Sequence, residues 1–123
     1  MRSSTHAKNS AIIRARFRVL VGNEVALGPG KAELLIHLRD TGSIAEAARR
    51  MGMSYMRAWT MLKTMERCFK QPLAKTARGG SERGGATLTE TGEAVLTIYG
   101  RMQQKADRAI EEEWSQLQRL LRG

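Results

Sequence analysis

Residues 42–59 read GSIAEAARRMGMSYMRAW, and their glycines and serines divide them into the parts of a helical corner. Gly42 is a natural stop for a preceding helix. Ser43-Ile44-Ala45-Glu46 has the S-x-x-E form of a capping box, in which hydroxyl and carboxylate each satisfy an orphan N–H. A helix therefore begins at once and runs to about Arg50, with Ala45, Ala47 and Ala48 keeping its surface thin enough for close crossing by another. Met51-Gly52-Met53 makes a short turn, and Ser54 caps a further helix from Tyr55 to about Phe69. Two short helices joined by a glycine-containing turn form the helix-turn-helix pattern. Plain helical hairpins in proteins that never touch DNA share it.

The second helix of the pair has two faces. At about 100° per residue, Tyr55, Ala58, Trp59, Leu62, Met65 and Phe69 fall on one side, the expected core. Ser54, Arg57, Thr60, Met61 and Thr64 fall on the other, with Met56 and Lys63 at its flank. That second set is short, polar and basic. In a major groove, Arg57 reads guanine, while Ser and Thr hydroxyls reach bases or phosphates. Met56 and Met61 contact a thymine methyl on this reading and fill gaps in the core on the other.

Working outward, Gly28-Pro29-Gly30 opens a helix, because proline at a first helical position has its φ preset and no N–H to leave unpaired. Leu34, Leu35 and Leu38 give it an inward face. Before it, IIRARFRVLVGNEVAL (12–27) alternates Arg14, Arg16 and Arg18 with Ala15, Phe17 and Val19 and then reaches Gly22-Asn23, the pattern of a two-stranded hairpin with one basic face. Residues 1–11 hold too little apolar content to repay ordering and are expected to form a disordered basic lead. After Pro72, strand-like pieces at Leu73–Thr76 and Ala86–Leu88 flank a loop rich in glycine. Lys75, Arg78 and Arg83 supply cations there, as a wing on a DNA backbone requires. A nucleotide-cradling loop is excluded, because the segment lacks the G-x-x-x-x-G-K-[ST] pattern and the strand–G-x-G-x-x-G–helix context. Thr89 then caps a helix expected from Glu90 to about Leu121. Its stripe of Val95, Tyr99, Met102, Ala106, Ile110, Trp114, Leu117 and Leu121 is too long for this body to cover and asks for a partner helix, the alternative being that the part after about Asp107 frays or packs back onto the body.

The 123 residues bound the function further. Residues 1–88 carry sixteen Lys and Arg against six Asp and Glu, whereas 89–123 carry five against six, so the whole +9 excess belongs to the first part. A basic body joined to a near-neutral amphipathic tail suits a polyanion at one end and protein at the other. Leu, Ile, Val and Phe make up about a fifth of the chain. Fifteen alanines and seven methionines supply the rest of the core and favour helix. One cysteine forms no internal disulfide, and His6, His37 and Cys68 match no metal-ligand spacing. No apolar run approaches the roughly 18 residues that cross a bilayer, and the polar start lacks a signal peptide's apolar core, so a cytoplasmic protein is expected. No carboxylate pair, Ser/His/Asp set or Cys/His set supports an enzyme.

Residues 28–92, GPGKAELLIHLRDTGSIAEAARRMGMSYMRAWTMLKTMERCFKQPLAKTARGGSERGGATLTETG, resemble the N-terminal winged-helix domain of the ModE family of molybdate-responsive regulators, and more distantly LysR-type DNA-binding domains. The likeness extends over about residues 12–105. It implies that Ser54 to Met61 enter the major groove, that Lys75 to Arg83 form the wing and that the final helix dimerises. Full-length ModE proteins continue into molybdate-binding domains, for which a chain ending at Gly123 has no room, so molybdate binding and cofactors are not expected. Glu82 also places an acid where the family prefers glycine and basic residues.

The expected fold is therefore mainly α with small β: an N-terminal hairpin, a winged helix-turn-helix over 12–89 (corner 43–69, wing 73–88) and a dimerisation helix over 90–123. The DNA-facing residues are expected to be Ser43, Ser54, Tyr55, Met56, Arg57, Thr60, Met61, Lys63, Thr64, Lys75, Arg78 and Arg83. The expected partners are double-stranded DNA, a second copy and, alternatively, a longer ModE-type regulator; a membrane is not among them. The expected function is sequence-specific transcription regulation by a homodimer, the alternatives being a non-specific architectural binder or a modulating partner subunit.

Overall fold

A computed structural model describes residues 11–76 and 85–122. The elements, in order, are β1 (Val19–Val21), β2 (Glu24–Leu27), α1 (Pro29–Thr41), α2 (Ile44–Arg50), α3 (Tyr55–Cys68), β3 (Ala74–Thr76), β4 (Ala86–Leu88), α4 (Glu90–Ala109) and α5 (Glu111–Leu120). The expected disordered lead, apart from Ala11, and the wing tip with Arg78, Glu82 and Arg83 lie outside the described residues.

The N-terminal hairpin is shorter than its alternation predicts. β1 and β2 pair antiparallel through the Gly22-Asn23 turn, where Gly22 takes φ 59°. Residues 11–18 join no ladder. Their backbone instead finds side chains of α4. Tyr99 Oη donates to the Phe17 carbonyl at 2.7 Å, and Gln103 Nε2 donates to that of Ala15 at 3.2 Å. Phe17 packs against the core from this strap. A period of two thus does not say whether strand or helix will satisfy a segment's carbonyls.

α1 begins with Pro29 in its first turn behind Gly28, and buries Leu34, Leu35 and Leu38 completely. It ends at Gly42, which takes φ 70° and donates its N–H to Leu38 at 2.8 Å. The expected capping box forms by half. Ser43 Oγ accepts from the Glu46 N–H at 3.0 Å, but the Ser43 N–H donates to Thr41 Oγ1 at 3.2 Å, and the Glu46 carboxylate pairs with Arg49 and Arg50 instead. Gly52 makes the turn at φ 68°, and Ser54 Oγ caps α3 by accepting from the Arg57 N–H at 3.0 Å. Leu34, Leu35, Leu38, Ile44, Leu62, Met65 and Leu73 form the fully buried centre, each burial worth about 1.5–3 kcal/mol.

β3 and β4 pair antiparallel with Lys75 opposite Thr87, and their base is stapled to the helical corner. Gly85 bridges to Ser43, and the Ala86 N–H donates to the Gly42 carbonyl at 3.0 Å. Thr89 closes the other side. Its N–H reaches the Leu73 carbonyl at 3.0 Å, its hydroxyl donates to the Pro72 carbonyl at 2.7 Å, and the same oxygen caps α4 by accepting from Gly92. Gly92 lies so close that a Cβ there would stand 2.2 Å from the Leu73 carbonyl oxygen.

The long C-terminal helix expected over 90–121 is two helices. Ile110 leaves helical geometry at φ −106°, ψ 11°, although the hydrogen bonds on either side, Ile110 to Ala106 and Trp114 to Ile110, survive. Neither glycine nor proline marks the break. Glu111, Glu112 and Glu113 occupy the first turn of α5, where acids complement a helix N-terminus.

Candidate nucleic-acid interface

The described sequence of α3 buries Ala58, Leu62 and Met65 and leaves Ser54, Met56, Arg57 and Thr60 open to solvent. This is the polar face expected, with two corrections on the other side. Tyr55 and Trp59, placed in the core by helical spacing, are 39% and 38% exposed. The core reaches only the narrow stripe 58–62–65, and both rings lie on one flank of that stripe and stay at its rim. Tyr55 is thereby placed beside the exposed face at the start of α3.

Met56, Arg57, Thr60, Met61 and Thr64 line one shallow depression, joined by Lys31 of α1. Lys31 was not identified from the sequence. Its spacing within α1 says nothing of which neighbour its turn abuts; in the fold the start of α1 meets α3, where a Cβ at Gly30 would stand 4.0 Å from the end of the Met61 side chain. Met61 is half-buried and packs against the core while also lining the depression. Met56 is 62% exposed. Lys63 is drawn sideways. Its ammonium lies 5.1 Å from the Trp59 ring centroid and 3.7 Å from the Glu66 carboxylate.

Ser43 is half-buried with its hydroxyl engaged in the α2 cap, next to the wing base at Gly85. Lys75 is exposed on β3. The C-terminal end of α3 is tied to the hairpin, with Arg67 Nη2 2.7 Å from the Glu24 carboxylate and the Cys68 thiol donating to the other oxygen at 3.7 Å. The hydrogen bond from Arg67 holds the Glu24 carboxyl below its ordinary range, while burial followed by the Glu24 charge pushes the Cys68 thiol up.

Of the eight positions on the C-terminal stripe, the first two are occupied within the chain. Tyr99 is buried in the core and Val95 packs against it. Burial pushes the Tyr99 hydroxyl up, consistent with its use as a donor to Phe17. Ala106, Ile110 and Trp114 are half-buried; Met102, Leu117 and Leu121 are exposed, at 40%, 49% and 45%. Among the described residues no group of His, Cys, Asp and Glu is placed to hold a metal ion, and no helix is long and apolar enough to cross a membrane.

A helical corner whose second helix offers an open polar face, followed at once by a two-stranded wing stapled to that corner, defines a winged helix-turn-helix DNA-binding fold. Residues 30–93 match the model of the bacterial regulatory helix-turn-helix proteins of the lysR family, and the chain belongs to that family. Among curated proteins it is similar to the molybdenum-pterin-binding protein MopB of Rhodobacter capsulatus, 37% identical over 89 residues covering 72% of this chain and 33% of that protein. It is also similar to the transcriptional regulator ModE of Yersinia pestis, 34% identical over 96 residues covering 76% of this chain and 36% of the relative. The chain thus matches about a third of the length of these relatives. Among solved structures, the CbnR DNA-binding domain in its DNA complex superposes with a TM-score of 0.56 at 20% identity, over 72% of this chain and 95% of that one, which shows a shared fold.

Proposed function

We propose that this protein is a sequence-specific, double-stranded DNA-binding transcription regulator of the ModE N-terminal type that acts as a cytoplasmic homodimer and catalyses no reaction. α3 enters the major groove and the wing lies along the backbone. The observation that carries this reading is the uncovered face of α3, where Arg57 projects among Ser54, Thr60 and Thr64 with Lys31 beside it. Arg57 reads a guanine edge; Ser54, Tyr55, Thr60 and Thr64 set the register, with Met56 and Met61 supplying apolar contact. Lys31, Lys63, Lys75, Arg78 and Arg83 act on phosphates, where charge positions without specifying. The likeness to molybdenum-related proteins spans a third of each, so it supports the DNA-reading part and not their molybdenum chemistry.

A second reading, an architectural binder without preferred sequence, is favoured by the basic excess of residues 1–88. The two separate on the ratio of affinities for a selected and a random duplex at fixed salt. A ratio of on the order of a thousand or more supports specific reading, and a ratio near one supports the architectural class.

A further inference from the structure

The polar side of α3 runs one turn beyond the open depression. Thr60, Thr64 and Arg67 follow in steps of four and three, so they share one side of the helix. Arg67 Nη2 lies 3.4 Å from Thr64 Oγ1, and Thr64 lines the depression together with Arg57 and Lys31. Arg67 thus extends the row of donors to which Arg57 belongs, about 15 Å further along the helix axis.

An acid meets the end of this row. Glu24, the first residue of β2 after the Gly22-Asn23 turn, brings Oε2 to 2.7 Å from Arg67 Nη2, while its Oε1 accepts from the Cys68 thiol at 3.7 Å. The Arg67 hydrogen bond above all, and more weakly the charges of Arg67 and Lys31, hold the Glu24 carboxyl below its ordinary range. A pair of anionic oxygens set against a guanidinium, with a second cation near and a hydroxyl beside it, has the surroundings that a DNA phosphate would receive. Both partners stay within reach of solvent, at 60% exposure for the Arg67 side chain and 40% for that of Glu24. Among the described residues Arg67 uses Nη2 alone, whereas a phosphate can take two parallel N–H groups of one guanidinium. An open pair of this kind holds weakly and exchanges readily.

We propose that Arg67 is a further DNA-backbone contact, and that in the free protein the Glu24 carboxylate occupies the place of the phosphate that Arg67 takes. The inference rests on the DNA-reading function proposed above and adds to it a rival anion carried by the hairpin. On binding, the guanidinium passes from carboxylate to phosphate, so the duplex has to displace an internal anion as well as solvent counter-ions. The cost of that exchange falls on every sequence alike, because phosphates carry no base information. Glu24 therefore lowers affinity for preferred and random DNA together and leaves the preference between them to Arg57 and its neighbours.

The test titrates the full chain against a labelled random duplex at several salt concentrations, comparing the native protein with Glu24→Gln, Arg67→Gln and the double variant. Glu24→Gln is expected to bind on the order of three- to tenfold more tightly. Arg67→Gln is expected to bind more weakly and to make the slope of log affinity against log salt shallower by about one. In the Arg67→Gln background the gain from Glu24→Gln should largely vanish, and with Arg67→Lys, which keeps a cation in place, most of it should return. An equal gain with and without Arg67 overturns the proposal, because Glu24 would then act as a general repulsion and not as a rival for Arg67. An affinity that Glu24→Gln leaves unchanged or lowers overturns it as well, since the pair would then be a tie that persists on DNA. Partial unfolding of a variant lowers the fraction of protein that binds, which a titration at high duplex concentration reads separately from affinity. A native chain that binds no duplex would overturn the DNA-reading function itself, whereas the other outcomes judge the exchange alone.

Discussion

Arg57 shows how one side chain is prepared by its neighbours. Its backbone N–H is held by the Ser54 hydroxyl, so the first turn of α3 is fixed while the side chain lines an open depression and pairs with no acid among the described residues. Replacing Arg57 by Ala is expected to cost about 1–3 kcal/mol on the preferred duplex and to relax the base preference at one position, measured by titration against single-base variants of the site. Equal losses on preferred and random DNA would make Arg57 a phosphate contact. Gly92 is the opposite kind of residue, needed for what it lacks. A Gly92→Ala methyl would fall 2.2 Å from the Leu73 carbonyl oxygen and would have to push α4 off the wing base. A loss of stability of about 1–3 kcal/mol is expected, read as a lowered midpoint of thermal unfolding. Gly92 could not be picked out from the sequence, since a helix-opening glycine after T-L-T-E-T announces neither the carbonyl nor its distance.

At the scale of elements, caps were legible and partners were not. Ser43, Gly42, Gly52 and Ser54 set their boundaries through bonds to residues within four positions, which a sequence displays. Ser43→Ala is accordingly expected to cost about 1 kcal/mol of stability, seen in denaturant unfolding. The strap at 11–18 was misread as strand because its bond partners, Tyr99 and Gln103, lie more than eighty positions away. Tyr55 and Trp59 were misassigned to the core for a related reason: helical spacing tells which side faces inward but not how wide a stripe the crossing helix covers. The Glu24–Arg67 pair, which joins hairpin to α3, is another contact only the fold reveals. Because the folded Glu24 carboxyl sits below its ordinary range, the pair contributes fully above the unfolded carboxyl's range, and its contribution disappears as pH falls through the lowered value. The stability difference between the native chain and Glu24→Gln should therefore be present at neutral pH and shrink to nothing in acid. A difference constant from neutral to acid pH would show that the pair does not act through its charge.

For the whole molecule, the division of charge anticipated the division of labour now proposed. The basic body holds the open α3 face and the wing base, and the near-neutral tail holds the uncovered apolar side. What composition and periodicity did not disclose is that α4 and α5 are separate helices, and that the first part of the stripe is spent on the chain's own core. Only from Met102 onward does the stripe remain for the second copy of the proposed homodimer. Salt provides a molecular-scale check: affinity for random DNA should fall steeply as ionic strength rises, while preference for a selected site persists.

Selection of bound fragments from random DNA, with the purified full chain at about 150 mM salt, tests the central claim most directly, because nonspecific phosphate contacts are weakened there. A specific dimeric reader predicts enrichment of one motif built of two related half-sites, lost in Arg57→Ala. Salt-sensitive binding with no enriched motif would contradict sequence-specific regulation and place the protein among architectural binders.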